Sequence, residues 1–204
     1  MNLRKIWWFI WEDNSIWSWI VNIIIAFVLI KFIVYPGLGL AFGTNYPVVA
    51  VMSSSMEHNP SSYNRWWADD GNWYLDNNIT QEQFEEFKMH NGFNKGDIII
   101  LFGKNLEKIK QGDIIVFKSH KTRPKPDPII HRVVKIKDED NNYFQTKGDN
   151  NPNSIENKCD PTGCINEIEI GKNQFVGKAV MKIPYLGYVK IWATDLAKLV
   201  GLVK

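Results

Sequence analysis

One long apolar stretch near the N-terminus limits what this chain can fold into. Residues 15–35 are apolar except at four positions, Ser15, Ser18, Asn22 and Lys31. A helix over this stretch, at 1.5 Å of rise per residue, is about 30 Å long, which matches the hydrocarbon core of a bilayer. The Pro36-Gly37 pair is predicted to end it. We therefore predict an uncleaved transmembrane helix over 15–35, because a cleavable export signal has a shorter apolar region with a small-residue cleavage site soon after it.

Basic residues flank this stretch unequally. Arg4 and Lys5 precede it, whereas no lysine or arginine occurs between Lys31 and Arg65. Cytoplasmic flanks of transmembrane helices carry the excess of basic residues, so the sequence predicts a single-pass protein of the cell membrane with residues 1–14 in the cytoplasm and the bulk of the chain outside it. The lipid bilayer is then one expected partner. The balance of 24 basic and 22 acidic residues argues against a nucleic-acid partner.

The remainder of the chain shows short β-branched runs separated by turns. Four runs are predicted to form strands, at 96–101, 112–117, 129–136 and 143–147, and a further run at 175–183 follows near the end of the sequence. The first two each follow a Gly-Asp turn, and no helical pattern intervenes between these runs. The fold class is therefore predicted to be mainly β, in a domain over residues 46–190.

Two segments differ in composition from these strands. Residues 59–94 are polar and aromatic and are interpreted as an insertion in the β domain. Within the insertion, Thr80 and Gln83 have the spacing of a capping box at the start of a short helix predicted over 80–90. Residues 191–204 are predicted to form an amphipathic C-terminal segment.

Three serines follow an apolar run at residues 48–52. A serine hydroxyl is a weak nucleophile until a base takes its proton, so Ser53, Ser54 and Ser55 raise the question of where a base lies. The candidate base is His131, in the third predicted strand. Taken alone, the serines would be ordinary turn residues closing a short strand.

The order of these features resembles the type I signal peptidases, in particular their archaeal and endoplasmic-reticulum branch. The matching motifs are Ser53-x-Ser55-Met56 and the segments 112–117, 130–134, 146–151 and 183–188. The resemblance implies a coiled-sheet catalytic domain. It also implies a membrane-anchored serine endopeptidase that cleaves signal peptides from exported preproteins, with no cofactor and with the protein-translocation machinery as a further partner.

The resemblance also implies roles for individual residues. Ser55 is expected to be the nucleophile and His131 the general base, in place of the lysine used by the bacterial branch. Ser53 is expected beside the oxyanion hole, where its hydroxyl donates together with the backbone N–H of Ser55. The other histidines match no family motif and are predicted to be surface residues: His58, His90 and His120.

The carboxylate that orients His131 is harder to assign. Asp149 matches the aspartate of the family's Gly-Asp-Asn turn, and a second aspartate normally follows about six residues later. This chain has Ile155 there, with Glu156 next to it. A short insertion would make Asp160 the counterpart, so Asp160 is expected to orient His131 and Asp149 is the alternative.

Cys159 and Cys164 flank Asp160. Outside the cytoplasm so close a pair is expected to form a disulfide rather than half of a zinc site, since no nearby histidine completes a metal motif. Two unpaired thiols are the other interpretation.

Two further functions are compatible with parts of this pattern. A noncatalytic scaffold or substrate-binding subunit would keep the β domain and the anchor but would not need Ser55 together with His131. A self-cleaving repressor would pair serine with lysine and would carry a DNA-binding domain where this chain has its apolar stretch.

Overall fold

The computed structural model describes residues 2–58, 62–103, 106–119, 128–137, 143–161 and 163–199. The chain divides into two compact units, residues 1–41 and 42–204. His120, predicted to lie on the surface, falls outside the described residues.

The N-terminal unit is helical. Helix α1 (Leu3–Trp11) is followed by α2 (Ile16–Leu29), which Ser15 caps by accepting a hydrogen bond from the backbone N–H of Ser18. Two polar side chains of the apolar stretch pair with carbonyls near the end of α1: Ser18 Oγ donates to Phe9 O at 2.5 Å and Asn22 Nδ2 donates to Ile10 O at 2.9 Å. These contacts satisfy carbonyls that a helix end leaves without intrahelical partners.

The sequence predicted that the apolar helix ends at Pro36-Gly37, but in the structure the helix continues beyond these residues. A π-helical turn (Ile30–Val34) connects α2 to α3 (Tyr35–Phe42), and the helix is continuous over Ile16–Phe42, 27 residues. Proline lacks an N–H and its ring crowds the carbonyl four residues earlier. The wider turn directly before it, in which Tyr35 N–H bonds to Ile30 O, accommodates the proline. By length and composition, this is one candidate membrane span among the described residues.

The second unit is built on antiparallel strands, which confirms the mainly β fold. The described strands are β1 (Val48–Ala50), β2 (Ile98–Phe102), β3 (Ile114–Phe117), β4 (Ile129–Ile136), β5 (Tyr143–Lys147), β6 (Lys158–Asp160), β7 (Gly163–Ile165), β8 (Ile170–Gly171) and β9 (Phe175–Ile183). Seven of them form one sheet in the order β1-β2-β9-β3-β4-β5-β8, and β6 pairs with β7 alone. The central strand β3 is buried along its whole length, which explains its uninterrupted apolar sequence.

Strand β4 carries side chains to both faces of the sheet. His131 is paired with Ile115 of β3, and Arg132 is paired with Lys147 of β5. Because successive side chains of a strand point to opposite faces, His131 and Arg132 serve different surroundings. Arg132 and Lys147 share the face that is covered by the insertion.

The described residues of the insertion form three short helices around an aromatic core. These are α4 (Tyr63–Asp70), α5 (Asn72–Asp76) and α6 (Gln81–Glu85). The capping box of Thr80 and Gln83 is present, but α6 ends at Glu85 rather than near residue 90. The buried residues of this cluster are Trp66, Trp67, Tyr74, Ile79, Phe84 and, from β4, Val134. The insertion therefore packs against the sheet instead of forming a loose loop.

A last helix, α7 (Tyr188–Leu199), begins slightly earlier than the predicted C-terminal segment. Ile191 is buried, whereas Trp192, Leu196 and Leu199 are exposed. These exposed apolar side chains lie in the C-terminal segment for which the sequence predicted amphipathic character.

Candidate active site

Ser55 and His131 lie in contact. Ser55 belongs to the turn that follows β1, and its Oγ is 3.0 Å from Nε2 of His131 on β4. The His131 residue is 4% exposed, whereas Ser55 is only partly buried. The hydroxyl is thus open to a substrate while the imidazole is shielded by the sheet.

The other nitrogen of His131 contacts Glu167. Nδ1 is hydrogen-bonded to Glu167 Oε1, and the Glu167 residue is fully buried. A carboxylate only accepts hydrogen bonds, so Nδ1 carries the proton and, in the neutral ring, Nε2 is free to accept from the Ser55 hydroxyl. A hydroxyl, an imidazole and a carboxylate joined in this way form the arrangement that activates a serine for nucleophilic attack.

Glu167 is itself held at both oxygens. Oε1 accepts from Thr146 Oγ1 of β5 at 2.9 Å, and Oε2 accepts from the backbone N–H of Ile155 at 2.8 Å. The backbone adds two bonds, from Glu167 N to Ile155 O at 2.7 Å and from Thr146 N to Glu167 O at 2.9 Å. The carboxylate is therefore fixed by the sheet and by the segment that follows the Gly-Asp-Asn turn.

The contact predicted for Asp160 is made by Glu167 instead. Asp160 is exposed on β6, in the hairpin that β6 forms with β7. Cys159 and Cys164 form a disulfide across this hairpin, so the predicted pairing is present in the structure. The chain leaves the site, makes the hairpin and returns with Glu167. The short insertion that was assumed in order to place Asp160 beside His131 therefore identified the wrong carboxylate.

Asp149, the alternative candidate for orienting His131, bonds to Arg132 on the face of the sheet opposite to that of His131, and it is fully buried. It accepts from Arg132 Nη2 at 2.6 Å, from Tyr74 OH at 2.8 Å and from His58 Nε2 at 2.9 Å. Burial raises the pKa of the Asp149 carboxyl, but the charge of Arg132 and the hydrogen bonds from His58 and Arg132 outweigh burial and leave that pKa below its ordinary value. Asp149 therefore anchors a buried ion pair and does not contact His131.

The prediction that His58 is a surface residue is wrong. Its side chain is 3% exposed, and its ring is stacked on Trp66 with ring centroids 3.6 Å apart. The bond to Asp149 ties the chain just after Ser55 to the turn at the end of β5. No sequence motif indicated this role, because a histidine in a polar segment has no periodic pattern around it. His90 is partly exposed.

All five N–H groups of Arg132 have acceptors. Nε and Nη2 each donate a hydrogen bond to the Asp149 carboxylate. Nη1 donates to Lys88 O at 3.1 Å and to Gly112 O at 3.0 Å. The second N–H of Nη2 donates to Met89 O at 3.0 Å. Its guanidinium also lies 4.7 Å from the ring centre of Phe84. This complete set of partners is what a buried charge requires.

The turn that follows β5 forms the floor of the site. Asn150 N donates to Ser55 O at 2.8 Å, and Asn150 Nδ2 donates to Ser54 O at 3.1 Å. A Cβ on Gly148 would lie 2.8 Å from both His131 Nε2 and Ser55 O. Glycine is needed there because any side chain would collide with the serine and histidine segments.

Ser53 lies beside Ser55. Its Oγ is 3.3 Å from Ser55 Oγ, and Ser53 is exposed.

Within the described residues no group of three or more His, Cys, Asp or Glu side chains is arranged to hold a metal ion.

No family model matches the chain, but curated relatives do. The signal peptidase complex catalytic subunit SEC11C of Homo sapiens is 29% identical over 169 residues, which are 81% of this chain and 66% of that protein. The sec11 subunit of Schizosaccharomyces pombe is 32% identical over 162 residues, 79% of this chain and 74% of the relative. SEC11 of Zygosaccharomyces rouxii is 28% identical over 175 residues, 84% and 80% respectively.

This chain spans 66% of the length of the mammalian relatives that it matches. The match to the Schizosaccharomyces pombe subunit covers most of both proteins. The chain therefore belongs to the family of signal peptidase complex catalytic subunits.

Proposed function

We propose that this protein is a serine endopeptidase that removes N-terminal signal peptides from exported preproteins. The observation that carries this proposal is the position of His131 between Ser55 Oγ and the Glu167 carboxylate. A noncatalytic scaffold has no need of this arrangement. The names of the relatives, which are catalytic subunits of signal peptidase complexes, support the same reaction.

The proposed mechanism has two halves. Ser55 Oγ attacks the scissile carbonyl carbon while His131 Nε2 takes the hydroxyl proton, and the imidazolium that forms is stabilised by Glu167. The tetrahedral intermediate collapses, the C–N bond breaks, and Nε2 gives its proton to the leaving amine of the mature protein. Water then attacks the acyl-serine ester with His131 again as base, which releases the signal peptide and restores Ser55.

The developing oxyanion needs donors placed before the reaction begins. We assign this part to the Ser53 hydroxyl and the backbone N–H of Ser55, because Ser53 Oγ lies 3.3 Å from the nucleophilic oxygen. One such donor lowers the barrier by about 3 kcal/mol in comparable sites.

The apolar helix Ile16–Phe42 supports a membrane location for this activity. We infer that it anchors the enzyme in the bilayer, with residues 1–14 in the cytoplasm and the β domain outside, where preproteins emerge from the translocation machinery. Protease added to sealed right-side-out vesicles should then cut after Gly43 and spare residues 1–14. Full protection of the β domain would contradict this orientation.

The reaction is tested with the full chain in detergent and a preprotein, by mass analysis of the products. The wild type should cut at the end of the signal peptide. Ser55→Ala and His131→Ala should each abolish cleavage, since a nucleophile and its base act as a unit. Ser54→Ala is the matched control and should keep most of the activity, because it removes the same atom from the neighbouring residue. Equal losses in the Ser54 and Ser55 variants, or cleavage by Ser55→Ala, would refute the assignment.

A further inference from the structure

A buried lysine lies directly behind the candidate active site. Lys147 is the last residue of β5 and is 1% exposed. Lysine is seldom buried so fully without a purpose, because its ammonium loses hydration. The reaction proposed above gives no role to Lys147.

The ammonium of Lys147 binds two consecutive backbone carbonyls. Nζ donates to Gly148 O at 3.1 Å and to Asp149 O at 3.2 Å. The first carbonyl also accepts from Asn151 N at 2.9 Å, which closes the turn. Two carbonyls of one short segment therefore point toward the same positive charge.

The N–H groups of the same two peptides point the other way, toward Ser55 and Met56, which are called the nucleophile segment below. In a trans peptide, the carbonyl oxygen and the amide hydrogen lie on opposite sides. The N–H that shares a peptide with Gly148 O belongs to Asp149 and contacts Met56 Sδ at 3.4 Å. The N–H that shares a peptide with Asp149 O belongs to Asn150 and donates to Ser55 O at 2.8 Å.

Lys147 and the nucleophile segment thus hold two peptide planes from opposite sides. A positive charge on the carbonyl side fixes each plane and also strengthens the N–H on the other side as a donor, because hydrogen bonds in a chain polarise one another. If the charge were absent, either peptide could rotate and release Ser55 or Met56.

The insertion encloses the ammonium. Lys147 Nζ lies 5.2 Å from the ring centre of Trp73 and 4.7 Å from that of Tyr74, both in α5. The charged groups that act on it are Asp149 in the turn, Asp70 in α4, Glu167 after β7 and Arg132 in β4. Burial lowers the pKa of the Lys147 ammonium to about 8, against the weaker opposing effect of the acids.

We propose that Lys147 is a positioning residue for the nucleophile: its ammonium, enclosed by the aromatic insertion, orients the two peptides whose N–H groups hold Ser55 and Met56. The proposal rests on the function proposed above for its effect on catalysis, but not for its effect on the turn. It also gives the insertion a role, because Trp73 and Tyr74 shield the charge that the turn needs.

Two measurements on Lys147→Met test this proposal. Hydrogen–deuterium exchange of the full chain in detergent, at one pH, should show faster exchange in segment 148–151 than in the wild type. This readout is independent of catalysis, so it remains decisive even if no signal peptide is cleaved. Unchanged exchange in that segment would overturn the proposal.

The second measurement is the pH dependence of cleavage, with a peptide substrate that lacks groups titrating between pH 7 and 10. The wild-type kcat should fall as pH rises through the Lys147 pKa of about 8, with KM little changed. Lys147→Met should lose about 10- to 100-fold in kcat at pH 7, as for loss of charge-assisted hydrogen bonds, and should lack this alkaline decline. A purely structural lysine would lower the melting temperature without changing the shape of the profile.

Lys118→Met is the matched control. Lys118 also has its Nζ over an aromatic ring, 5.5 Å from the centre of Tyr46, but it is exposed. This variant should keep the wild-type exchange and pH profile. Should Lys147→Met fail to fold, the wild type decides: a kcat that stays level between pH 7 and 9.5, at constant melting temperature, would overturn the proposal.

Discussion

His131 and Glu167 are hydrogen-bonded although they are 36 positions apart in sequence. Strand β4 supplies the imidazole, and the carboxylate comes from the segment that follows the β6–β7 hairpin. The bond selects the tautomer in which Nε2 faces Ser55 without a proton. The orientation of the His131 ring toward Ser55 therefore depends on a residue that no motif marks.

Glu167→Gln should lose activity mainly through kcat. The amide cannot stabilise the imidazolium and can favour the wrong tautomer, and the comparable change in a serine protease triad costs about 10⁴-fold. Steady-state kinetics and melting temperature of the two variants Glu167→Gln and Asp160→Asn provide the check. Asp160→Asn, on the exposed hairpin, should stay within about twofold of the wild type, as is usual for surface changes. The reverse pattern would return the orienting role to Asp160.

Ser53→Ala should lower kcat by about 10²- to 10³-fold with little change in KM. This is the loss seen when one oxyanion donor is removed, because the donor acts only once negative charge develops. Stability should not change, since Ser53 is exposed. If KM rose while kcat stayed constant, Ser53 would be a substrate contact and not an oxyanion donor.

Asp149→Asn should destabilise the fold by about 3 kcal/mol, the usual cost of leaving one member of a buried ion pair alone. The lowered pKa of Asp149 sets the sign of the pH effect. A carboxylate of this kind stabilises the fold above its unfolded pKa of about 4, and the contribution is lost as pH falls from there toward the folded-state pKa. Melting curves between pH 2 and 7 should therefore show the gap between wild type and variant narrowing below about pH 4. A gap that is constant with pH would argue against the ion pair as its source.

Removal of the disulfide should affect catalysis through Glu167. The Cys159–Cys164 ring closes the hairpin whose two ends are joined by the bonds between Ile155 and Glu167. Its loss should cost about 2 kcal/mol by the loop-entropy relation and should lower kcat as the carboxylate becomes less fixed. The double variant Cys159→Ser, Cys164→Ser and the reduced wild type should agree in kcat and melting temperature. Unchanged kcat in both would mean that Thr146 and Ile155 hold Glu167 without the hairpin.

Much of the fold followed from local patterns in the sequence. Four runs of β-branched residues, of which the first two follow Gly-Asp turns, predicted β2, β3, β4 and β5, because buried strands need such residues whatever their partners. The contact between Ser55 and His131 was also predicted, through the family motifs that surround each residue. The capping box of Thr80 predicted the start of α6 for a similar local reason.

Two of the wrong predictions, those for the partner of His131 and for His58, concern contacts between segments that are far apart in sequence. Glu167 is identified only once the hairpin returns the chain to β5, and His58 only once the insertion folds over Asp149. The end of the apolar helix failed for a different reason, because a π turn before Pro36 allows a helix to continue where an α-helix would stop. For Glu167 and His58 the deciding interactions join residues that are far apart in sequence, whereas the π turn is a contact between residues only five apart.

The hydrogen bonds of Arg132 depend on the presence of the long insertion at residues 59–94. Two of its five donors end on the carbonyls of Lys88 and Met89, which belong to the insertion. A related chain with a shorter segment here loses those acceptors, and a buried guanidinium with two unmet donors is costly. Because Arg132 lies in a segment that matches the family whereas residues 59–94 are an insertion, a relative that has the arginine and a shorter segment must offer its guanidinium other acceptors in place of the Lys88 and Met89 carbonyls.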